Sequence, residues 1–291
     1  MTMIDDHVDR DLYPFESRWF TSPAGRVHYV DEGSGPTIVF CHGSPTWGFM
    51  FRKVMASLRN DYRCIAADLL GFGLSERPDM FGYTVREHVA VISELLDHLG
   101  VDDYILVGHD WGGPIGLAAS IPRADRLRGL VLTNTCFWPI TRLPNRLFST
   151  VMGTRVMRRR IMERNFLVEQ VLLGRFGPQL TAAEADQYRL VQPSPSARRG
   201  LAVIPTEITA AAPLLATLEH DVASLLRDRP VVAAWGMRDR VFPAPSCLPR
   251  IHAAFDDVTE VRIPHAGHFT AEEAPDDLIR AIVERFPIRA A

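Results

Sequence analysis

Two patterns of apolar and polar positions alternate along the chain. Short continuous apolar runs, such as Thr37–Cys41, are typical of strands buried on both faces of a parallel sheet. Longer stretches with apolar residues three or four positions apart, such as residues 85–99, predict amphipathic helices. Further strands are predicted at residues 18–21, 26–31, 63–67, 127–133, 230–236 and 259–263 and in the run from Tyr104, and further helices at residues 52–60, 247–255 and 275–286. The repeated order predicts an α/β fold with a doubly wound, mostly parallel eight-stranded sheet.

The alternation stops at Phe137. About eighty residues of helix-like segments follow, including the arginine-rich Arg155–Arg164, before strands return at residue 230. We interpret residues 137–216 as an inserted helical cap domain. Residues 1–136 and 217–291 then form the core domain that carries the sheet.

The composition is that of a globular protein with a full core. Hydrophobic residues make up 47% of the 291 positions, and the formal net charge is -3. This charge gives no reason to expect nucleic acid or an anionic membrane as a partner, and it favours a small uncharged one. Residues 1–11 do not resemble a signal peptide and no apolar run approaches the ~20 residues that span a bilayer, so a cytoplasmic location is expected. The four cysteines lie far apart, which predicts buried reduced thiols rather than disulfides or a zinc site.

The run from Tyr104 ends in the sequence Gly108-His-Asp-Trp-Gly112. Its Gly-x-Asp-x-Gly spacing is that of a nucleophile elbow, in which glycines leave room for a strained turn between a strand and a helix. Asp110 stands at the apex, and the adjacent His109 is expected to be a packing residue. A carboxylate is already ionised at neutral pH and can displace a leaving group from carbon directly. The predicted chemistry is therefore alkyl transfer to Asp110, followed by hydrolysis of the ester.

Hydrolysis of that ester requires a base that activates water. His268 follows the last predicted strand, where chain order in this type of fold places the histidine, and His265 is the alternative. A carboxylate that fixes the tautomer of this histidine is expected at a strand end. Asp239 follows the seventh predicted strand, whereas the segment after the sixth holds no acidic residue before Glu163. We therefore predict Asp239 as the third member of the site.

The loop His42-Gly-Ser-Pro45 follows the third predicted strand. It is expected to aim the backbone N–H of Ser44 at the charge that develops when water attacks the ester, with the N–H of Trp111 as the second donor. A cis peptide bond before Pro45 is also expected, because tight functional turns are where such bonds persist. The loop and the elbow together indicate a hydrolytic site at Asp110 more specifically than either motif does alone.

The motifs resemble those of the haloalkane dehalogenases, a family of the α/β-hydrolase superfamily. The resemblance runs nearly end to end, and it includes the segment at residues 68–78, the late pair Asp239 and His268, and the cap segment at residues 188–200. It implies the α/β-hydrolase fold, an Asp-His-Asp triad, and a small uncharged halogenated substrate and a halide ion as binding partners. Segments 12–20 and 137–139 favour a mycobacterial branch whose members often self-associate, which is compatible with a homo-oligomer.

In this family two N–H donors hold the departing halide, one from the tryptophan after the nucleophile and one from an asparagine in the first motif or a tryptophan in the cap. Trp111 matches the first donor. Ser44 stands where asparagine or glutamate is usual, and Trp138 at the start of the cap is the alternative second donor. Because losing one charge-directed hydrogen bond costs about 1.5–3 kcal/mol, we expect weak or narrow dehalogenase activity. The aromatic candidates for the pocket wall are Phe49, Phe137, Trp138, Phe148 and Phe166.

Other functions stay open at this point. Epoxide hydrolases share the fold, the elbow and the His/Asp pair, but they protonate a leaving alkoxide, usually with two cap tyrosines, and this cap segment holds only Tyr188. Another reaction of an aspartate nucleophile, such as the opening of a strained β-lactone, is a further alternative. A binding or scaffold protein is disfavoured because nucleophile, base and acid are all present. The dehalogenase cycle needs no metal and no organic cofactor.

Overall fold

The computed structural model describes residues 7–288, and in this part of the chain one sheet contains eight strands. They are β1 (Arg18–Ser22), β2 (Gly25–Glu32), β3 (Thr37–Cys41), β4 (Arg63–Ala67), β5 (Tyr104–Asp110), β6 (Leu127–Thr135), β7 (Val231–Gly236) and β8 (Val258–Ile263). Their order across the sheet is β1-β2-β4-β3-β5-β6-β7-β8. The pairs β1/β2 and β2/β4 are antiparallel and the remaining neighbours are parallel.

This sheet confirms the predicted fold class, the strand count and the antiparallel opening by β1 and β2. Every residue of β3 and β5 is buried, as expected for central strands covered on both faces. The ends of the predicted core domain, residues 1–6 and 289–291, lie outside the described residues. The expectation that the N-terminus does not resemble a signal peptide falls largely on that segment.

Eleven α-helices connect or follow the strands in the described part of the chain. They are α1 (Arg52–Leu58), α2 (Val85–His98), α3 (Gly112–Ser120), α4 (Leu143–Met152), α5 (Arg155–Arg164), α6 (Ala182–Leu190), α7 (Arg199–Ala210), α8 (Ala212–Leu225), α9 (Ala244–Ala254), α10 (Thr270–Glu273) and α11 (Pro275–Arg285). A π-helical turn at Leu167–Leu172 lies between α5 and α6.

Local sequence explains where the predicted helices begin. The side chain of Thr84 accepts the N–H of Glu87, and the Glu87 carboxylate accepts the N–H of Thr84, so a capping box starts α2. The helix α9 begins at Ala244, earlier than predicted, because Pro245 in its first turn has no N–H that would need a partner there. The apolar face of α2 is buried as its periodicity predicts.

The inserted segment is helical, as its pattern predicts. The helices α4 and α5 pack against α7, and α8 packs against α3 beside the sheet. Since α8 runs from Ala212 to Leu225, it passes through the predicted cap boundary at residue 216. This last helix therefore contacts the core although its first turns were assigned to the cap.

A buried ionic network joins the inserted segment to the core. Arg52 of α1 is 3% exposed and its guanidinium contacts Glu184 of α6 and Glu272 of α10. Tyr188 of α6 donates its hydroxyl to the same Glu272 carboxylate. The guanidinium also lies 3.9 Å from the ring centroid of Phe49. The network fixes α6 on the core through charge, hydrogen bonding and aromatic contact.

All four cysteines are buried and free, as predicted. In the described part of the chain, no single helix is long and apolar enough to cross a membrane. Among residues 7–288, one pair of helices, Ser196–Ala210 with Ala212–Leu225, is long and apolar enough when taken together, and this pair is bent by 66°.

Candidate active site

The nucleophile elbow is formed where β5 passes into α3. Asp110 ends β5 with a φ of 50°, a left-handed value that is rare for residues other than glycine. A Cβ atom at Gly112 would collide with the carbonyl oxygen of Cys41, and one at Gly43 would collide with the Asp110 carboxylate. The glycines thus allow the close approach of β3 and the elbow, and the strained residue carries the carboxylate, an arrangement typical of functional sites.

The loop after β3 meets this carboxylate. The N–H of Ser44 donates to Asp110 Oδ1 at 3.0 Å, and the Ser44–Pro45 peptide bond is cis, as expected. His42 supports the loop from below, because its Nε2 accepts the N–H of Leu69 at 3.0 Å and its Nδ1 lies 2.9 Å from Gly43 O. Burial lowers the pKa of His42 although nearby carboxylates oppose this. A neutral His42 therefore fixes the Ser44 N–H toward Asp110.

His268 lies between two carboxylates. Its Nε2 is 3.6 Å from Asp110 Oδ2, and its Nδ1 is 3.0 Å from Asp239 Oδ2. The competing His265 is exposed and lies 3.6 Å from Asp277 instead. The structure therefore brings together Asp110, His268 and Asp239, the three residues that sequence reasoning selected.

The electrostatics of the three groups are coupled. Burial disfavours a protonated His268, but Asp239 and Asp110 outweigh burial and raise the pKa of His268 to about 10. Burial also disfavours the charged form of Asp239 and so raises its pKa. The adjacent His268 outweighs burial, together with hydrogen bonds from Asn134 and the Val241 N–H, and brings the pKa of Asp239 below its ordinary value. At neutral pH the resting site thus holds an imidazolium beside an ionised Asp239.

Sequence reasoning missed Asn134. Its side-chain N–H donates to Asp239 Oδ2 at 2.8 Å, and its Oδ1 accepts the N–H of Gly236 at 2.9 Å and the hydroxyl of Thr270. Its φ of 43° is left-handed, which asparagine tolerates better than most residues. The available signal in the sequence is an asparagine one residue before the end of β6, at a strand end that holds no acidic residue.

His109 turns away from the substrate side, consistent with the packing role predicted for it. Its Nδ1 lies 3.2 Å from Thr133 O, and its ring centroid is 4.8 Å from that of His268. Burial, with the adjacent His268 as a second cause, lowers the pKa of His109 to about 3. A neutral ring therefore packs beside the imidazolium without adding charge.

Asp110 faces a cavity of about 80 Å³. The core supplies half of its lining and the inserted helices supply the other half. The core residues are Ser44, Pro45, Asp110, Trp111, Val241 and His268, and the inserted ones are Phe148, Leu167, Val171, Ile204, Pro205 and Ile208. The inserted segment thus closes the site with apolar side chains. Among residues 7–288, no group of three or more histidine, cysteine, aspartate or glutamate side chains is arranged to hold a metal ion.

Comparisons with known proteins agree with this geometry. Residues 36–275 match the family model for the alpha/beta hydrolase fold. Haloalkane dehalogenase 2 of Mycobacterium tuberculosis (strain H37Rv) is 50% identical over 283 residues, which cover 97% of this chain and 99% of the relative. The chain belongs to the haloalkane dehalogenase family.

Two further comparisons extend this result. The crystal structure of an ancestral haloalkane dehalogenase is similar with a TM-score of 0.83 and 27% identity, covering 92% of this chain and 97% of that one. A cis-3-alkyl-4-alkyloxetan-2-one decarboxylase of Shewanella oneidensis is 29% identical over 298 residues, covering 93% of this chain and 88% of the relative.

The two alternatives for a second halide donor occupy different places in this family member. Ser44 lines the cavity with Trp111 and Asp110. Trp138 lies outside that lining, where it packs edge-on against Phe137 with ring centroids 4.7 Å apart and has the Arg250 guanidinium 4.8 Å from its ring. Of the predicted pocket aromatics only Phe148 is a lining residue, whereas Phe49, Phe137 and Phe166 lie elsewhere.

Proposed function

We propose that the protein hydrolyses a halogenated alkane to an alcohol and a halide ion through an ester on Asp110. One observation carries the proposal: the two oxygens of Asp110 have different partners. Oδ1 accepts the N–H of Ser44 at 3.0 Å, whereas Oδ2 faces His268 Nε2 at 3.6 Å. Such a division suits a carboxylate whose one oxygen attacks while the other is held in an oxyanion site.

In the first step Oδ2 of Asp110 attacks the carbon that bears the halogen. The new carbon–oxygen bond forms as the carbon–halogen bond breaks, and the halide leaves with the bonding electron pair. Trp111 is the proposed donor to this halide. We propose Ser44 rather than Trp138 as the second halide-binding residue, since Ser44 lines the cavity and Trp138 does not. A short serine hydroxyl is a poorer donor here than an asparagine amide, so weak activity stays our expectation.

In the second step water attacks Cγ of the Asp110 ester. His268 Nε2 takes a proton from the water, and Asp239 stabilises the imidazolium through Nδ1. The negative charge that develops on Oδ1 meets the N–H of Ser44 and, in our proposal, the N–H of Trp111. Collapse of this intermediate expels the alkoxide, which takes the proton from His268 and leaves as the alcohol. The proton that remains on the Asp110 carboxyl group then passes to His268, which restores the Asp110 carboxylate.

Ester formation itself prepares His268 for this role. In the resting enzyme two carboxylates raise the pKa of His268 to about 10, and Asp110 is one of them. Alkylation makes Asp110 neutral, so one of the groups that favour a protonated ring disappears. The ring then releases its proton more easily and becomes available as a base when the ester needs hydrolysis.

Epoxide opening and β-lactone opening are the two alternatives to dehalogenation. Epoxide opening needs an acid for the leaving alkoxide, but Tyr188 is buried, donates to Glu272 and lies outside the cavity lining. The similarity to an oxetan-2-one decarboxylase favours a β-lactone as the second candidate substrate.

Three further statements stay predictions from the sequence: the cap domain at residues 137–216, a homo-oligomeric state and a cytoplasmic location.

Bromide release tests the proposal. The purified protein and an Asp110→Ala variant are incubated with 1,2-dibromoethane and with 1-bromobutane. We expect release by the unmodified protein alone. No release, together with a covalent adduct on Asp110 from a β-lactone or an epoxide, would assign the site to a sister reaction. No adduct with any of these electrophiles would favour a binding protein.

A further inference from the structure

A large cleft borders the small cavity at Asp110. The cleft has a volume of about 840 Å³, whereas the cavity has about 80 Å³. Ligand pockets typically have volumes of about 300–1,000 Å³, so the cavity alone is small for a substrate and the cleft is not. Val171, Val241 and His268 line both spaces. The cavity and the cleft are therefore neighbours that share these three side chains as part of their walls.

Three arginines line the cleft and lack acidic partners. Arg175, Arg238 and Arg240 are all exposed. In the part of the chain that the structure describes, none of their guanidinium groups forms an ion pair. Arg240 lies 4.2 Å and Arg175 lies 5.8 Å from the ring centroid of Phe176, so one aromatic ring supports two of the guanidinium groups.

The three acidic residues of the same cleft have partners other than the three arginines. Asp239 is paired with His268, and Glu272 with Arg52. Glu273 accepts the N–H groups of Gly267 and Phe269 at 2.7 and 2.9 Å. Two of the three carboxylates are thus neutralised by partners other than the cleft arginines, and the third has backbone partners. The arginines leave the cleft with an excess of positive charge.

We propose that this cleft binds the carboxylate of a halogenated carboxylic acid whose halogen is at the far end of the alkyl chain. The inference rests on the proposed function and names its substrate class. Guanidinium groups pair with carboxylates through two parallel hydrogen bonds, which gives both attraction and orientation. The apolar cavity would hold the carbon–halogen end, and the arginines would hold the charged end. The proposed substrate carries a charge, unlike the small uncharged substrate that the sequence predicts.

Three matched substrates test the proposal: 6-bromohexanoate, its methyl ester, and a bromohexane that carries a trimethylammonium group at the other end. We expect kcat/KM for bromide release to be about tenfold higher for the carboxylate than for the ester, and lowest for the cation, because a charge-assisted hydrogen bond is worth roughly that factor. The preference should shrink as salt concentration rises.

Variants of the cleft arginines test whether these residues cause the preference for the carboxylate substrate. In an Arg175→Gln/Arg240→Gln protein, kcat/KM for 6-bromohexanoate should fall about tenfold while that for the methyl ester stays within about twofold. Arg227→Gln is the matched control, because Arg227 is exposed before β7 and pairs with Asp256. Equal rates for carboxylate and ester, or equal losses for both in the double variant, would overturn the inference and leave dehalogenation intact. No bromide from any substrate would overturn the proposed function itself.

Discussion

Asn134 donates its side-chain N–H to Asp239 Oδ2, the same oxygen that His268 Nδ1 contacts. The two distances, 2.8 Å from Asn134 and 3.0 Å from His268, show that one carboxylate oxygen serves both residues. In the proposed mechanism Asn134 is therefore a positioning residue, which acts on His268 through Asp239.

Replacing Asn134 by alanine should lower kcat for bromide release by about tenfold to a hundredfold, because a hydrogen bond to a charged group is worth ~1.5–3 kcal/mol. The pKa of Asp239 should rise when this donor is lost, so the acidic limb of the pH profile should move to higher pH. Kinetics across pH measure both effects. Asn60→Ala, at an exposed position, is the control. An unchanged acidic limb would show that Asn134 has only a structural role.

The His268→Gln variant should accumulate the ester. Asp110 can still attack the substrate in this protein, but no base activates water, so bromide release should stop after about one equivalent per site. Mass spectrometry of the protein treated with 1-bromobutane should find one added butyl group on the peptide that contains Asp110. His265→Gln should turn over normally, since His265 contacts Asp277 and not Asp110. Multiple turnovers by His268→Gln would rule out His268 as the base.

The pKa of His268 should depend on the charge of Asp110. It is raised to about 10 in the resting protein, and Asp110→Asn removes one of the carboxylates responsible. We therefore expect the pKa of His268 to fall in this variant, as it would in the ester intermediate. NMR titration of the His268 ring, assigned with His268→Gln, measures this pKa.

In single-turnover experiments ester hydrolysis should become faster as pH rises, because the neutral ring of His268 is the base.

Ser44→Asn should raise bromide release. An amide that reaches the halide restores a charge-directed hydrogen bond of about 1.5–3 kcal/mol, or roughly tenfold to a hundredfold in rate. Ser44→Ala is the informative companion, because it keeps the backbone N–H that contacts Asp110 and removes only the hydroxyl. If Ser44→Asn releases bromide no faster than the unmodified protein, the serine does not explain weak activity.

His88 should limit stability in acid. It is fully buried next to the rings of Phe72 and Phe81, its two ring nitrogens have no hydrogen-bond partner among the described residues, and burial lowers its pKa to about 3. The unfolded chain binds this proton below about pH 6.5, so the native state loses stability as pH falls from 6.5 toward 3.

We expect His88→Leu to increase the free energy of unfolding by about 1 kcal/mol at neutral pH, because a buried unsatisfied polar group is removed. The difference from the unmodified protein should grow as pH falls. Urea unfolding at several pH values measures both effects. His220→Leu, at an exposed position on α8, controls for the loss of a histidine. A variant with the same pH dependence as the original would show that His88 is not responsible.

Residues placed by a local turn or by strand order could be predicted better than residues that meet across the cap. The elbow at Asp110 is a local turn that glycines permit, and Asp239 and His268 follow strands whose carboxyl ends share one edge of the sheet. Those relationships follow from strand order alone. Asn134 lies at the same edge, but its amide has no distinctive spacing, and only the folded structure shows that it faces Asp239.

The cap was harder to predict for a physical reason. A helical pattern fixes which face of a helix is apolar, but not which neighbour that face meets. Trp138 and Phe148 are both aromatic residues of the inserted segment, yet only Phe148 lines the cavity, while Trp138 packs on Phe137 and Arg250. The arginines of the cleft lie on two loops far apart in sequence, so their proximity depends on the tertiary fold.

The Arg52 network restricts how ligands can enter and leave. If α6 moved away from the core, the buried Arg52 would lose its ion pair with Glu184 and Glu272 would lose the hydroxyl of Tyr188, at a cost of about 3–5 kcal/mol for a broken buried ion pair. We therefore expect α6 to remain on the core while substrate and product are exchanged, so that each catalytic cycle leaves the ionic contacts of Arg52 intact.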